Sequence, residues 1–327
     1  MNVLLTGGAG YIGSHVALKL IEEGHDVSIV DNLITGSENL IPKQASFLKC
    51  NINNKEKISN LLKNNKFDAI MHFAAFIKVE ESVKNPNKYF KNNKDNAINF
   101  FETCYENKLT NLIFSSTAAV YGNNKTNKPM SEKMDLNPLN PYGKSKLDVE
   151  NYLLKNSDRF NYIILRYFNV AGADPELRSG LISNKSSHLI KITSEVAIGK
   201  RKKITIYGND YKTFDGTAVR DYIHVSDLAD IHINILNFLK KNKVSNIFNC
   251  GYGKGYSVKE VIDAANNITN GSIKYEYGKR RLGDSEILIS DVSKLNNLIN
   301  WEPKYNNLNV ILKKAIDWEK KINEKNF

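Results

Sequence analysis

The fold is decided by the stretch Val3-Leu4-Leu5-Thr6-Gly7-Gly8-Ala9-Gly10-Tyr11-Ile12-Gly13-Ser14-His15, an apolar run that leads straight into a glycine-rich turn. Apolar residues then recur at helical spacing, at Val16, Ala17, Leu20 and Ile21. In a strand–turn–helix unit, Gly7 permits the tight turn, Gly10 lets the backbone approach a pyrophosphate, and Gly13 lets the helix pack on the strand. The stretch therefore predicts a dinucleotide-binding turn at the start of a helix.

A second strand is predicted at 26–30, and it ends at Asp31, eighteen residues beyond Gly13. An acid at that place binds the adenosine ribose hydroxyls of a dinucleotide. A 2′-phosphate about 4 Å from this carboxylate would be repelled by roughly 4 kcal/mol per unit charge at an effective dielectric constant near 20. No Arg or Lys follows in residues 32–35 that could offset this repulsion. The pattern favours NAD over NADP, although Asp31 could also act as a turn cap.

Further apolar strands alternate with helical stretches at 46–50, 69–73 and 111–115. One of the helices is expected over 86–107, with an apolar face formed by Ala97, Ile98, Phe101 and Tyr105. Alternating strands and helices with short connections predict an α/β fold with a Rossmann-like, doubly wound parallel sheet. Ligands of such sheets bind at the carboxyl ends of the strands, where Phe73-Ala74-Ala75 and Ser115-Ser116-Thr117 are placed. We interpret His72, at one strand end, as a core histidine.

Tyr142 and Lys146 lie four residues apart in Pro141-Tyr142-Gly143-Lys144-Ser145-Lys146, at the start of a predicted helix. On a helix they share one face, so the ammonium group can lie beneath the phenol. A phenol titrates near 10, and about 4 kcal/mol of selective stabilisation would bring its pKa near neutrality. The lysine and the positive charge of an oxidised nicotinamide could supply it. The same spacing recurs at Tyr121/Lys125, in a turn, and at Tyr275/Lys279, interrupted by Gly278.

The composition is that of an ordinary globular protein, with 327 residues, 41% hydrophobic and 25% charged. We expect two lobes, no membrane span, no signal peptide and a cytoplasmic location. Cys50, Cys104 and Cys250 lack metal-ligand spacing and are expected as buried thiols. The net charge of +11 is spread along the chain without a basic stripe, so we expect no nucleic-acid partner.

Together, these motifs resemble the extended short-chain dehydrogenase/reductase superfamily, and within it the UDP-galactose (UDP-glucose) 4-epimerases. The resemblance spans the chain in the family's order and includes 114–122, 165–169, 207–211, 215–225 and 280–284. It implies that Tyr142 is the base, that Lys146 activates it and binds the cofactor ribose, and that Thr117 replaces a family Ser. Thr retains a hydroxyl that can donate to the sugar oxygen.

The resemblance also implies the residues that contact NAD and the UDP-sugar. The expected cofactor contacts are Gly7, Gly10, Tyr11, Ile12, Asp31, Asn32, Asn51, Ile52, Phe73, Ala74, Ala75, Lys78, Asn92, Ser115, Tyr142, Lys146 and Phe168. Asn51 stands where relatives have Asp, and Lys78 lies one position after the place of a family Lys. The expected substrate contacts are Thr117, Tyr142, Asn169, Leu189, Tyr207, Arg220, Arg281, Asp284 and Leu288.

Leu288 falls where relatives restricted to plain hexoses carry a bulky Tyr beside the sugar. Leu is shorter and lacks the hydroxyl, so an acetamido group could fit, although Leu288 could also merely pack. We therefore expect an isomerase that acts on UDP-glucose and UDP-galactose and also on UDP-GlcNAc and UDP-GalNAc. The implied chemistry is transient oxidation at sugar carbon four, rotation of the 4-keto sugar, and reduction from the opposite face.

Rival functions within the superfamily remain. A dehydratase would need an Asp-Glu pair after the Thr, and Ala118-Ala119 follows Thr117 instead. A UDP-uronate epimerase or decarboxylase stays open, as does a non-catalytic dinucleotide- or nucleic-acid-binding protein.

We expect an NAD-binding domain at 1–169, to which 216–250 return, and a smaller α/β UDP-sugar-binding domain at 170–215 and 251–327. The resemblance further implies a homodimer through the helices near Asn92–Asn107 and Tyr142–Lys155.

Overall fold

The structure is a computed structural model that describes residues 1–123, 128–183, 186–281 and 284–324. In these residues, the strands along the chain are β1 (Asn2–Thr6), β2 (Asp26–Asp31), β3 (Ser46–Lys49), β4 (Ala69–His72), β5 (Asn111–Thr117), β6 (Asn161–Tyr167), β7 (Asn169–Ala171), β8 (Ile204–Tyr207), β9 (Val219–His224), β10 (Asn246–Cys250), β11 (Gly255–Ser257), β12 (Tyr275–Gly278) and β13 (Ile287–Leu288).

The α-helices of the same ranges are α1 (Tyr11–Glu22), α2 (Lys55–Asn64), α3 (Val79–Lys84), α4 (Pro86–Tyr89), α5 (Asn96–Glu106), α6 (Pro141–Lys155), α7 (Leu189–Ala197), α8 (Val225–Asn242), α9 (Val258–Ile268), α10 (Ser293–Leu298) and α11 (Leu308–Glu324). Short 3₁₀ helices lie at Glu38–Leu40 and Ala118–Val120, and a π-helical segment lies at Phe90–Asp95.

Seven parallel strands form the large sheet, in the order β10-β6-β5-β4-β1-β2-β3. Strand β1 lies between β2 and β4, so the strand order reverses there and opens a crevice at the carboxyl edge. The expected Rossmann-like, doubly wound parallel sheet is confirmed.

Helices cover both faces of this sheet because both faces are apolar. On one face α1 and α8 pack through buried residues that include Val16, Leu20 and Leu228. On the other face α2, α5 and α6 pack through residues that include Phe100 and Val149. Helix α6 is therefore held against the sheet by an apolar side, which leaves its N-terminal turn at the carboxyl edge.

Smaller sheets build the second part of the molecule. Strand β9 pairs with β7, β11 and β13, while β8 pairs with β12, and helices α7, α9 and α11 pack around them. Strand β10 returns to the large sheet beside β6, whereas β9 belongs to the smaller sheet. The predicted division, with 216–250 returning to the first domain, stays a prediction.

The helix expected over 86–107 consists of α4, the π-helical segment and α5 in succession. Within α5, which follows the π turn, the buried face includes Ala97, Phe100, Phe101 and Cys104. Ala97 and Phe101 were correctly placed on that face. The prediction that Tyr105 also lies on it was wrong, since the Tyr105 side chain is 40% exposed.

Two further expectations concern buried polar atoms. Cys50, Cys104 and Cys250 are buried free thiols, as predicted. His72 is a core residue, and its Nδ1 lies 2.8 Å from the hydroxyl of Thr6.

Among the described residues, no helix is both long enough and apolar enough to cross a membrane.

Candidate active site

The glycine turn between β1 and α1 is built for close approach. Gly7 has φ +73°, and a Cβ there would lie 2.6 Å from the backbone nitrogen of Ala74. A Cβ on Gly13 would lie 2.4 Å from the carbonyl oxygen of Gly7. Gly10 differs, because its Cβ would approach only that same oxygen, at 3.2 Å. Gly7 and Gly13 thus serve packing, while a Cβ at Gly10, before the first turn of α1, would make a single tight contact.

Asp31 ends β2 beside this turn. Its carboxylate accepts hydrogen bonds from the backbone nitrogens of Ala9 (3.1 Å) and Leu33 (2.8 Å). Burial raises the pKa of Asp31, and the backbone donors oppose that rise. The carboxylate is therefore fixed next to the glycine turn, which combines the predicted role with a turn-capping one.

The residues at this edge fit a dinucleotide. The open face at Gly10 is a cradle that any larger residue would fill, and the helix N-terminus behind it favours a pyrophosphate. Asn32 and Asn51 lie at the carboxyl ends of β2 and β3, and their side-chain oxygens accept from the backbone nitrogens of Ile34 and Asn53. Their amide nitrogens remain as donors beside Asp31.

The predicted catalytic residues converge where β5 ends and α6 begins. The Thr117 hydroxyl lies close enough to the Tyr142 phenol to lower its pKa, and it accepts from the backbone nitrogen of Ala119 at 3.2 Å. One turn along α6, the Lys146 ammonium donates to the Ser115 carbonyl at 2.7 Å and lies 4.9 Å from the centroid of the Phe114 ring. Asn140 caps α6 by accepting from the backbone nitrogen of Gly143 at 2.9 Å.

The ionisation of this pair is dominated by burial. Burial lowers the pKa of Lys146 to about 7, against the charge of Glu150, which raises it. Burial raises the pKa of Tyr142, although the hydrogen bond from Thr117 lowers it. The chain alone therefore does not depress the phenol's pKa, because the effect of burial outweighs that of Thr117.

Asn93 belongs to the site, and the sequence analysis missed it. It is buried in the π-helical segment, where it accepts from the backbone nitrogen of Phe76 and donates to the carbonyl of Phe76, each at 2.8 Å. Its amide nitrogen also lies 3.4 Å from the hydroxyl of Ser145 on α6. Asn93 therefore fixes the loop after β4 beside the catalytic helix, and the predicted contact Asn92 is its neighbour. A single buried Asn carries no distinctive spacing, so only the fold reveals it.

Several predicted substrate residues lie on the second lobe. Arg220 on β9 is the register partner of Leu288 on β13, and its guanidinium donates to Asp284 at 2.6 Å. The Arg281 guanidinium lies 3.8 Å from the ring centroid of Tyr207. These contacts place two cations, one carboxylate and one exposed aromatic ring in neighbouring segments.

Comparison with known proteins decides the family. Residues 3–251 match the model of the NAD dependent epimerase/dehydratase family. The chain belongs to that family.

Relatives of this family member match it along nearly its whole length. It is 41% identical to the UDP-glucose 4-epimerase of Lactobacillus helveticus, over 98% of this chain and 97% of the relative. The solved UDP-Glc/GlcNAc 4-epimerase of Campylobacter jejuni is 45% identical, with a TM-score of 0.85 over 98% of this chain and 99% of that one. The UDP-glucose 4-epimerase of Bifidobacterium longum, solved with NAD⁺ and UDP, is 32% identical, with a TM-score of 0.94 over 100% of both chains.

The expected resemblance and the expected cofactor are confirmed by these matches. NAD is the cofactor of the family, and residues around the glycine turn would hold it: Gly7, Gly10, Tyr11, Ile12, Asp31, Asn32, Asn51, Ile52, Phe73, Ala74 and Ala75. The roles of these individual residues stay predictions.

The remaining predicted residues are more scattered. Phe168 is buried beside Tyr121, and Asn169 begins β7, directly after it. Leu189 begins α7 and packs against the core of the second lobe. Lys78 is exposed before α3. Among the rest of the motifs, Lys125, Leu282 and Gly283 lie outside the described residues.

Proposed function

We propose that this family member is an NAD-dependent 4-epimerase that interconverts UDP-glucose and UDP-galactose. The observation that carries the proposal is the phenol of Tyr142 beside the Thr117 hydroxyl, one helical turn from the buried ammonium of Lys146. These groups stand at the carboxyl edge of a dinucleotide-binding sheet. The full-length relatives named UDP-glucose 4-epimerase support the same reaction.

The chain's own groups account for the proton movements. Tyr142 would take the proton from the hydroxyl on sugar carbon four and later return it to the same oxygen. The Thr117 hydroxyl would donate to that oxygen and keep it in line with the phenol. Bound NAD would supply the hydride acceptor and donor. Lys146, fixed at the Ser115 carbonyl, would add positive charge near the phenolate.

The second lobe would hold the nucleotide diphosphate while the sugar turns over. Arg220 and Arg281 would neutralise the diphosphate, and Asp284 would accept hydrogen bonds from ribose hydroxyls. Because Arg220 is paired with Asp284, substrate binding would share this guanidinium between the carboxylate and a phosphate. Asn169, Leu189 and Tyr207 would complete the nucleotide contacts.

The test is a product assay on purified protein with UDP-glucose, UDP-galactose, UDP-GlcNAc and UDP-GalNAc, without added reductant. Formation of UDP-galactose from UDP-glucose is expected. UDP-glucuronate is included as the probe for a uronate epimerase or decarboxylase. Conversion of UDP-glucuronate alone would replace the proposal by that rival.

We further propose that the acetamido sugars are substrates. Leu288 packs beside the cluster that contains Phe168 and Tyr121, and it is the partner of Arg220 across the strand pair. A branched aliphatic side chain there leaves space that a tyrosine ring would occupy. The similarity to the Campylobacter jejuni UDP-Glc/GlcNAc 4-epimerase supports this wider specificity.

Substitution at this position separates the two substrate pairs. Leu288→Tyr should reduce turnover of UDP-GlcNAc by at least about tenfold and leave UDP-glucose turnover near wild type, since one misfit group costs about 1–3 kcal/mol. Leu288→Met, of similar volume, is the matched control and should keep both activities. Equal losses on both pairs in Leu288→Tyr would show that Leu288 does not select the sugar.

We propose a homodimer through the helices α5 and α6. Tyr105 and Leu154 are 40% and 45% exposed on these helices, which is a reason to expect that a second copy covers them. Leu154→Lys should shift the molar mass measured by light scattering from two chains towards one, because it places a charge in an apolar contact. Val244→Lys, an exposed apolar position after α8, is the control and should leave the mass unchanged.

A further inference from the structure

The catalytic helix carries a third ionisable group whose function the proposed reaction does not explain. Glu150 lies one turn after Lys146 and is buried, as is Arg166 on β6. The Arg166 guanidinium donates two hydrogen bonds to the Glu150 carboxylate, from Nη2 to Oε2 at 2.6 Å and from Nε to Oε1 at 3.1 Å. Ser116 donates its hydroxyl to the same carboxylate. These hydrogen bonds connect the middle of α6 to strands β5 and β6, near the carboxyl edge of the large sheet.

Arg166 extends the contact away from the helix. Its Nη1 donates to the Tyr121 hydroxyl at 3.0 Å, and that hydroxyl donates to Oδ1 of Asn249 at 2.7 Å. The Asn249 amide nitrogen in turn donates to the carbonyl of Met130 at 2.7 Å. A continuous series of hydrogen bonds therefore runs from α6 through β6 and β10 to the segment around Met130.

Met130 is bound to the wall of the sugar pocket. Its backbone nitrogen donates to the carbonyl of Ile289 at 2.8 Å, and its own carbonyl accepts from the backbone nitrogen of Asp291 at 2.8 Å. Ile289 follows Leu288 directly, at the end of β13. The series of hydrogen bonds thus ends one residue from the side chain proposed to contact the sugar.

A buried ion pair is poor evidence for stability, because its desolvation cost offsets much of the attraction between the charges. A bidentate guanidinium–carboxylate contact does, however, impose a fixed distance and a fixed orientation. Resting on the proposed function, we propose that the Glu150–Arg166 pair is a positioning unit that sets Lys146 and the sugar-pocket wall in one geometry. Glu150 and Arg166 act through other residues and touch neither sugar nor cofactor.

The charged surroundings of Lys146 make the unit testable. On its own helix Lys146 faces Glu150 and Tyr142, on β5 it faces the Ser115 carbonyl and the Phe114 ring, and on β4 it lies near His72. Burial lowers the pKa of His72 to about 3, so this histidine is neutral. Glu150 is then the anionic side chain whose charge raises the pKa of Lys146. Its removal should lower that pKa further, so that Lys146 loses its charge at a lower pH and the alkaline limb of the rate profile moves to lower pH.

The experiment replaces Glu150 by Gln in the holoenzyme and follows Lys146 directly by NMR of lysine labelled with ¹³C at Cε. The signal is assigned with Lys146→Arg. Glu150→Gln should lower the titration midpoint of Lys146, shift the alkaline limb of kcat downwards by about one pH unit, and change the KM for UDP-glucose by less than about twofold. Glu102→Gln is the matched control, because it removes a half-exposed partner of Arg159 and Tyr152 near the other end of α6. It should leave the titration and the pH profile unchanged.

An unchanged Lys146 titration together with an unchanged kcat profile in Glu150→Gln would overturn the inference. If Glu150→Gln does not fold, Tyr121→Phe decides, since it removes only the hydroxyl between Arg166 and Asn249. Tyr121→Phe should lower kcat with KM preserved, and wild-type values of both would overturn the inference. Lack of epimerase activity in the wild-type enzyme would instead refute the proposed function, while the NMR titration would still report on the ion pair.

Discussion

At the scale of single residues, the site combines a phenol and an amine whose shifted pKa values both favour the neutral form of the group. Burial raises the pKa of Tyr142 and lowers that of Lys146 to about 7. Both shifts disfavour charge, because a buried ion loses its hydration. The base is therefore generated by what binds beside it: a cationic nicotinamide would favour the phenolate, so proton transfer would be restricted to the assembled complex.

Removal of the phenol oxygen tests this assignment. Tyr142→Phe should fold and retain NAD but lose about 10²–10⁴ in kcat, the usual contribution of a positioned acid or base. Epimerase assays and the absorbance of bound cofactor measure the two properties separately. Thr117→Ser, which keeps the hydroxyl that contacts the phenol, is the control and should retain most activity. A near wild-type rate in Tyr142→Phe would reject Tyr142 as the base.

At the scale of elements, the unit of β1, the glycine turn and α1 separates packing from binding. Gly7 and Gly13 lie against backbone atoms at 2.6 and 2.4 Å from where a Cβ would stand. A Cβ on Gly10 would meet only the Gly7 carbonyl oxygen, at 3.2 Å, and Gly10 has φ −87°, which any residue can adopt. The three glycines therefore predict different consequences of adding one methyl group.

Gly13→Ala should lower the free energy of unfolding by about 1–3 kcal/mol, because the new Cβ forces α1 away from the turn. Gly10→Ala should leave the free energy of unfolding of the apoprotein within about 1 kcal/mol of wild type while weakening NAD binding, since its methyl group points into the cradle. Chemical denaturation of the apoprotein and calorimetric titration with NAD give the two quantities. Normal NAD affinity in Gly10→Ala would place the pyrophosphate elsewhere.

At the scale of the whole molecule, buried histidines determine the response to acid. Burial lowers the pKa of His15 and His232 to about 4, and of His72 and His224 to about 3. In the unfolded chain these groups titrate near 6.5. The unfolded state therefore binds more protons as the pH falls below 6.5, so stability decreases from that point down to the folded-state pKa values.

Each of these histidines should cost roughly 2 kcal/mol of unfolding free energy on going from pH 7.5 to pH 5. Buried Asp221 and Asp227 have pKa values raised by burial and act in the opposite direction. Comparison with His72→Asn cancels their effect, because Asn retains a hydrogen-bonding atom for Thr6 but does not titrate. Urea unfolding at the two pH values should show a loss about 2 kcal/mol smaller in His72→Asn. An equal loss in both proteins would contradict the assignment.

The sequence by itself determined the strand–turn–helix unit, the alternation that builds the parallel sheet, and the helical spacing of Tyr142 and Lys146. These features depend on neighbours within a few residues, where backbone geometry and apolar periodicity act directly. Only the tertiary structure decided that Glu150 pairs with Arg166, that Asn93 fixes the loop at Phe76, and that Tyr105 faces outwards. The partner of a buried polar group is chosen by packing between distant segments, and the side of α5 that meets the core is set by the elements packed against it, so neither is written in local spacing.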